Sequence, residues 1–338
     1  MKSIGQNKDF KNLVQELKQI IQQARDNVVQ AVNIEMLRTY FEIGRKIIEE
    51  EQKGHKRAAY GENLIEHISY ELIKEFGKGF DASNLRRMRI FYATYMIWEA
   101  VPPKLSWTHY CELIKIKEQA KRNFYLNESV NSNWSTRELE RQIHSLLYER
   151  LTLSKDKKKV KELSTKGQII EKPEDIIKDP YVLEFIGLKQ DSSYLEKDIE
   201  SALISKLKDF LLELGKGFSL VSRQKRITVD GDHYYIDLVF YNYILKCFFL
   251  IDLKSGKLTH QDIGQMDFYV RYFEKEVKQK NDLPTIGLIL CSDKNEIMAK
   301  YTLLSENKRI FASKYKLYLP TESELKKKLS GAIPRKSS

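Results

Sequence analysis

Three charged residues set inside apolar runs carry the chemistry of this chain. The run Tyr234-Tyr235-Ile236-Asp237-Leu238-Val239-Phe240-Tyr241 holds one acid, and Phe248-Phe249-Leu250-Ile251-Asp252-Leu253-Lys254 holds a second acid and a lysine. Aromatic, β-branched and aliphatic residues dominate both runs, which predicts buried strands. A charge among such residues is costly to bury unless something pairs it. Side chains alternate along a strand, so Asp252 and Lys254 share a face. A hairpin turning across residues 243–246 sets Asn242 opposite Cys247, and the same register sets Asp237 opposite Asp252. Opposed side chains of an antiparallel pair stand about 5 Å apart at Cβ. Two carboxylates that close repel, and a divalent cation relieves the repulsion. Such a cation polarises a phosphate and acidifies a bound water, which is what phosphodiester hydrolysis requires. Lys254 is spaced to orient that water or to offset developing negative charge. The Leu253 carbonyl points between acid and lysine as a further oxygen ligand.

These residues need a scaffold, and the surrounding pattern supplies one. A helix is expected over residues 192–214, with Ile199, Leu203, Leu207, Phe210, Leu211 and Leu214 on its apolar face and Gly215 and Gly217 closing it. Strands are expected at 219–228, 234–241 and 247–253, a helix at 260–278, a buried strand at 285–291, a helix at 295–303 and a short strand at 316–319. That order reads as a mixed α/β core. Arg223 and Lys225 fall on one face of the strand before the site, Gln224 and Arg226 on the other. The basic residues suit contact with phosphates, or a solvated edge.

The first half of the chain reads as helices. Residues 10–52 suggest two, the first carrying Leu13, Leu17, Ile20, Ile21 and Ala24, the second Leu37, Tyr40, Phe41, Gly44 and Ile47. Helices at 62–76 and 84–98, joined by Gly77-Lys78-Gly79, have the outline of a helix-turn-helix unit. The second opens with Arg86, Arg87 and Arg89, placed to ride a DNA backbone or to solvate a bundle. Pro102-Pro103 breaks it, and residues 106–125 follow as a helix. Ser135 and Glu138 form a capping box opening a helix that runs to about 151. The lysine-rich stretch that follows reads as a solvated connector.

Composition narrows the classes. The 338 residues carry a formal net charge of +11, which favours polyanionic partners. No run approaches the roughly 18 apolar residues of a membrane span. The polar N-terminus has no apolar core of a secretory signal, so a cytoplasmic protein is expected. Its three cysteines are widely spaced, with no Cys-x-x-Cys pair; Cys247 and Cys291 read as inert core thiols. The six histidines show no ligand spacing for zinc, and there is no Gly-rich phosphate loop.

Asp237 followed by Asp252-Leu253-Lys254 resembles the PD-(D/E)xK nuclease signature. More narrowly, the chain resembles the YhcG-like, or DUF1016, family from about residue 10 to 320. The matching stretches include Ile199-Glu200-Ser201-Ala202-Leu203-Ile204, Arg223-Gln224, Tyr235-Ile236-Asp237-Leu238, Asn84-Leu85-Arg86-Arg87-Met88-Arg89 and Trp134-Ser135-Thr136-Arg137-Glu138-Leu139. The resemblance implies that Glu200 supplies the helix acid of a metal site, with Glu196 its rival one turn earlier. It also implies that Gln265 and Tyr269 form a Gln-x-x-x-Tyr motif touching the site or the DNA backbone. Asp252 stands where this family more often shows Glu, and Ile236 stands in place of the signature's proline.

The expected fold is α+β: an all-helical N-terminal domain at 10–152, a linker at 153–179, and an α/β restriction-endonuclease-like domain with a mixed central sheet at 180–325, ending in a basic tail at 326–338. The expected activity is Mg²⁺-dependent, or Mn²⁺-dependent, hydrolysis of phosphodiester bonds in DNA. Asp237, Asp252, Glu200 and Leu253 would hold metal, with Lys254 and Gln265 serving catalysis. Arg223, Lys225, Arg226, Tyr269, Arg86, Arg87 and Arg89 would bind nucleic acid, and the N-terminal domain would bind DNA or a partner. A homodimer is an expected assembly. An RNA nuclease and a DNA-binding assembly protein with a vestigial site remain the alternatives.

Overall fold

The computed structural model describes residues 8–53, 58–152, 157–188, 194–293, 309–321 and 323–324. The helix expected at 295–303 and the basic tail at 326–338 lie outside these residues. The chain divides into two compact units, Met1–Leu139 and Glu140–Ser338.

The first unit is helical. α1 (Lys8–Lys53) is one continuous helix where the periodicity suggests two. Residues 25–36 between the expected helices contain no Gly or Pro, so nothing breaks the backbone ladder. The apolar face nonetheless changes side. At about 100° per residue, the Leu13–Ala24 stripe and the Leu37–Ile47 face lie on nearly opposite sides of the helix. Among the described residues only the second is covered: Leu37, Tyr40, Phe41 and Ile47 are buried. α2 (Ala58–Phe76) and α3 (Ala82–Tyr95) follow, linked through Gly77 at φ +87. Asp81 caps α3, accepting from Asn84 N at 3.0 Å. α1 and α3 cross closely at Gly44, where a Cβ would collide with the Met88 carbonyl. The helix expected over 106–125 is two, α4 (Trp107–Leu113) and α5 (Gln119–Ser132). α6 (Thr136–His144) opens on the predicted capping box, with Glu138 accepting from Ser135 N at 2.8 Å. It runs past Leu139 into the second unit and ends before Leu146, which takes φ +55; α7 (Leu147–Thr152) restarts the turn within that second unit.

The second unit is a six-stranded mixed sheet between helices. The stretch expected as a solvated connector forms α8 (Lys157–Lys166), and Leu163, Ile176 and Lys178 within 153–179 are buried. A two-residue strand unforeseen in the sequence, β1 (Tyr181–Val182), joins the sheet edge. The long helix expected over 192–214 is broken at Lys206 into α9 (Glu196–Ser205) and α10 (Leu207–Leu214). β2 (Phe218–Val229), β3 (Asp232–Asn242) and β4 (Cys247–Lys257) form an antiparallel meander. α11 (His260–Tyr272) ends in a π-helical turn, Phe273–Val277. β5 (Ile286–Asp293) and β6 (Ile310–Lys316) complete the sheet, the last strand lying earlier than the expected 316–319. The strand order is β1-β6-β5-β4-β3-β2, with β4, β5, β6 and β1 parallel.

Each sheet face has its own core. Ile199, Leu203, Phe210 and Leu214 pack on Leu238, Phe240, Phe249, Ile251 and Leu253. Ile263, Met266, Tyr269 and Val270 pack on Val239, Leu250 and Ile289. Gly287 lets α11 approach β5, since a Cβ there would stand 2.5 Å from Met266 Sδ. Glu213, fully buried, pairs with Arg150 and accepts from Val182 N at 2.9 Å. Burial alone would raise its carboxyl, but Arg150, Lys178 and Arg141 hold it below the usual glutamate value.

Candidate active site

The acids and the lysine meet where β3 and β4 part. Pairing of these strands runs from Asn242↔Cys247 to Leu238↔Ile251, the register expected from the sequence. One step further, Asp237 and Asp252 face each other and the main-chain ladder ends. Asp237 fills the fork: its Oδ2 accepts from Leu253 N at 2.7 Å. Leu253 thus meets the site through its main chain, while its side chain is buried in the core.

Asp252 is 2% exposed, and its Oδ2 lies 2.9 Å from Lys254 Nζ. The pair is electrostatic, because that oxygen accepts no aligned hydrogen bond. Burial, then the neighbouring Asp237 carboxylate, push the Asp252 carboxyl up to about 7. Burial acts against the Lys254 charge, but Asp252 and then Glu196 outweigh it and hold the ammonium above its ordinary value.

Both rival helix acids reach the site, in different ways. Glu200, 3% exposed, accepts from Gln224 Nε2 at 2.6 Å. Glu196, one turn earlier, accepts from Ser255 N at 3.2 Å and stands 3.7 Å from Lys254 Nζ. One helical turn along α9 therefore brackets the lysine and the acids.

Gln224 is the residue that strand alternation missed. Its Nε2 also donates to Asp237 Oδ1 at 2.9 Å, so one amide bridges Glu200 and Asp237. Arg223 and Gln224, expected on opposite faces, both reach Glu200, Arg223 Nε at 3.5 Å. The cause is local: Gln224 takes φ +45, which breaks the alternation. Lys225 and Arg226 are exposed along the same strand. Tyr235, directly opposite Arg226 on β3 and 47% exposed, adds an aromatic ring beside them.

Two expected residues take other roles. Tyr269 is fully buried; its hydroxyl donates to the Tyr235 carbonyl at 2.8 Å and accepts from Gln265 Nε2 at 2.7 Å. Burial, with the Asp252 charge second, pushes that phenol up to about 12. Such a side chain has no surface to offer a phosphate, so Tyr269 is a support for β3 rather than a nucleic-acid contact. Gln265 spends its amide on Tyr269. In the helical unit, Arg86 Nη2 lies 2.5 Å from Glu66 and Arg89 Nε lies 2.8 Å from Glu51, while Arg87 is exposed.

The donor set suits a hard cation in its chemistry. Glu200 Oε1 and Asp252 Oδ2 are buried oxygens that accept no hydrogen bond. Buried carboxylate oxygens are costly unless a cation meets them, and here Lys254 Nζ stands 2.9 Å from Asp252 Oδ2 and Arg223 Nε 3.5 Å from Glu200 Oε1. Among the described residues, however, no three His, Cys, Asp or Glu side chains stand grouped as a metal site. The Gln224 amide lies between Glu200 and Asp237 instead, a neutral donor in the place where positive charge would serve both.

Residues 174–330 match the model of the YhcG PDDEXK nuclease domain, and residues 16–150 that of the DUF1016 N-terminal domain. The chain is 37% identical over 338 residues to "Putative nuclease YhcG" of Escherichia coli (strain K12), with 90% of each chain covered. A repair endonuclease from Pyrococcus abyssi superposes at a TM-score of 0.27 and 22% identity, over 39% of this chain and 50% of that one. No helix among the described residues is long and apolar enough to cross a membrane. The matches along both halves and the 37% identity over 90% of the chain agree: this chain belongs to the YhcG family of PD-(D/E)xK nucleases, with a DUF1016 N-terminal domain ahead of the nuclease domain.

Proposed function

We propose that the chain hydrolyses phosphodiester bonds in DNA with a divalent cation, Mg²⁺ first and Mn²⁺ as a substitute. The observation that carries this reading is the meeting of Asp237, Asp252 and Lys254 at the strand fork, with two buried carboxylate oxygens left without hydrogen bonds. Asp237, Asp252 and Glu200 would hold the ion, with the Leu253 main chain beside them. When bound, the ion supplies Lewis-acid activation of the phosphate and of water. Lys254, held charged by Asp252, stabilises negative charge developing on the phosphate and orients the attacking water. Gln224 donates one amide to both Glu200 and Asp237 and so holds two of the carboxylates that would bind the ion side by side. Gln265 acts at one remove, fixing Tyr269 and through it the β3 main chain beside Asp237.

The arm of β2 and β3 beyond the fork is the substrate track. Arg223, Lys225 and Arg226 are exposed on β2, with Tyr235 opposite Arg226. Guanidinium and ammonium groups meet phosphates, and an exposed ring stacks on a base. In the helical unit, Arg87 leads a second DNA contact, with Arg86 and Arg89 joining it at the cost of their pairs with Glu66 and Glu51.

The test is a cleavage panel with purified full-length chain on single-stranded, double-stranded and branched DNA and on RNA, with Mg²⁺, Mn²⁺ or EDTA. Cleavage of DNA that needs the ion and vanishes in Asp252→Ala is the expected result. Cutting of RNA alone would replace the substrate assignment. Binding without cutting under every condition would make the chain an assembly protein with a silent site.

A further inference from the structure

The first half of α1 carries an apolar stripe that nothing among the described residues of its own unit covers. Leu13, Leu17, Ile20, Ile21 and Val28 are each at least half exposed, as is Val32. On the opposite side of the same turns stand Gln15, Gln19, Gln22 and Asp26. The stripe is therefore a face, not a helix that is apolar all round. Its spacing is regular: Phe10, Leu13, Leu17, Ile20, Ala24, Asn27 and Ala31 alternate steps of three and four residues. That is the heptad pattern of a helix that supercoils with another helix of the same period. Three heptads at 1.5 Å per residue make a seam about 32 Å long. Val14, Ile21 and Val28 flank it as a third apolar position in each heptad, as in bundle helices.

The covered face of the second half, Leu37 to Ile47, lies nearly opposite and is already used within the unit. The same packing cannot serve both faces of one straight helix, so the stripe needs a separate partner. We propose that it is a self-association surface: the stripe of α1 packs against the same stripe of a second copy of this chain. A second copy brings the identical heptad period, which no other helix among the described residues presents; their exposed large apolar residues number three or fewer per helix. Charge favours the match as well. The chain as a whole is strongly basic, at +11, yet the seam and its flanking positions hold no lysine or arginine. Lys11, Lys18 and Arg25 sit about a quarter turn or more away from the stripe's centre, so two copies meet without like charges opposed. Large exposed apolar faces on soluble chains mark interaction sites. This inference is independent of the nuclease chemistry.

Light scattering of the full chain reads the outcome directly. The expected mass is a multiple, twice or more, of the 39.8 kDa of one chain. The double variant Leu17→Glu, Ile20→Glu should fall to the single-chain mass. The control Gln15→Glu, Gln19→Glu adds the same charge on the opposite face and should keep the wild-type mass. Leu17 and Ile20 are 50% and 65% exposed, so their replacement leaves the chain's own core untouched, and an unchanged melt of the sheet unit checks this. A wild-type chain that runs as a monomer at tens of micromolar overturns the proposal. So does an assembly whose mass survives the Leu17→Glu, Ile20→Glu change.

Discussion

Gln224 donates its side-chain amide to Asp237 at 2.9 Å, turned inward by its own φ of +45. The same nitrogen holds Glu200 at 2.6 Å, so a neutral group keeps two acids in place. Gln224→Ala should lower metal-free stability by about 1 kcal/mol, the net worth of hydrogen bonds to acceptors that water can partly reach. Mg²⁺ should then raise the melting temperature more in the variant than in wild type. Equal Mg²⁺ shifts in both proteins would mean that the amide and the ion do not share a place.

Lys254 sits 2.9 Å from Asp252 and offers the cation nearest the acid pair. Lys254→Ala is expected to cut the single-turnover cleavage rate by about 10²–10³, as loss of one charge-stabilising donor does elsewhere. Asp252→Ala should abolish cleavage. Both should keep the wild-type far-ultraviolet dichroism, since neither side chain fills the apolar core. An Asp252→Ala protein that cuts at the wild-type rate would remove the site assignment.

Asp252 titrates high for an aspartate, at about 7 against an ordinary 3.8, because of burial first and Asp237 second. A raised value in the fold favours the neutral acid. Its stabilising contribution is complete below about pH 4 and is lost as pH rises through about 7 in the metal-free chain. A divalent ion binds the ionised form and reverses that loss. The Mg²⁺-induced rise in melting temperature should therefore be larger at pH 8 than at pH 6. Asp252→Asn should flatten the difference, and a wild-type shift equal at both pH values would contradict the titration.

Arg150 and Glu213 form a fully buried ion pair that ties α7 to the end of α10, with Glu213 also accepting from the edge strand at Val182. Arg150→Ala leaves that carboxylate buried without its main partner. The expected loss is about 3–5 kcal/mol in urea unfolding. Replacing both partners, Arg150→Met with Glu213→Leu, should recover only part of it, because Lys178 and Arg141 then lose the carboxylate they share with Arg150.

Arg87 is exposed on α3, whereas Arg86 is committed to Glu66. Arg87→Glu should weaken DNA binding and reduce the slope of log affinity against log salt by about 1 or more. Arg86→Glu should act less cleanly, since it also sets two glutamates against each other. Binding and salt slope unchanged by Arg87→Glu would place the helical unit away from DNA.

Much of this protein is legible from local pattern. The alternation of the two apolar runs and the length of the turn between them determine the register that opposes Asp237 and Asp252. Period two and short-turn geometry are properties of the chain itself. The same holds for the capping box at Ser135 and Glu138, and for the apolar face that places Glu200 over the sheet. Even Gln224 was within reach: Asp230-Gly231 is a two-residue hairpin turn, both residues at positive φ, and counting back from it sets Gln224 opposite Asp237. What alternation could not foresee is the positive φ at Gln224 that brings Arg223 and Gln224 to one acid, because a strand pattern assumes an even pleat.

Other features were decided only by packing. Residues 10–52 form a single helix because no breaker interrupts them, and the change of apolar face reports two different partners rather than two helices. Tyr269 shares a face with Gln265 in any helix, but only the depth of α11 against the sheet turns its hydroxyl to the Tyr235 carbonyl and away from solvent. Arg86 and Arg89 look free along the sequence, and distant glutamates claim them. Periodicity and spacing act within a few residues and are written in the chain. Which side chain a buried or charged group finally meets depends on segments tens of residues apart, and only the folded structure brings those together.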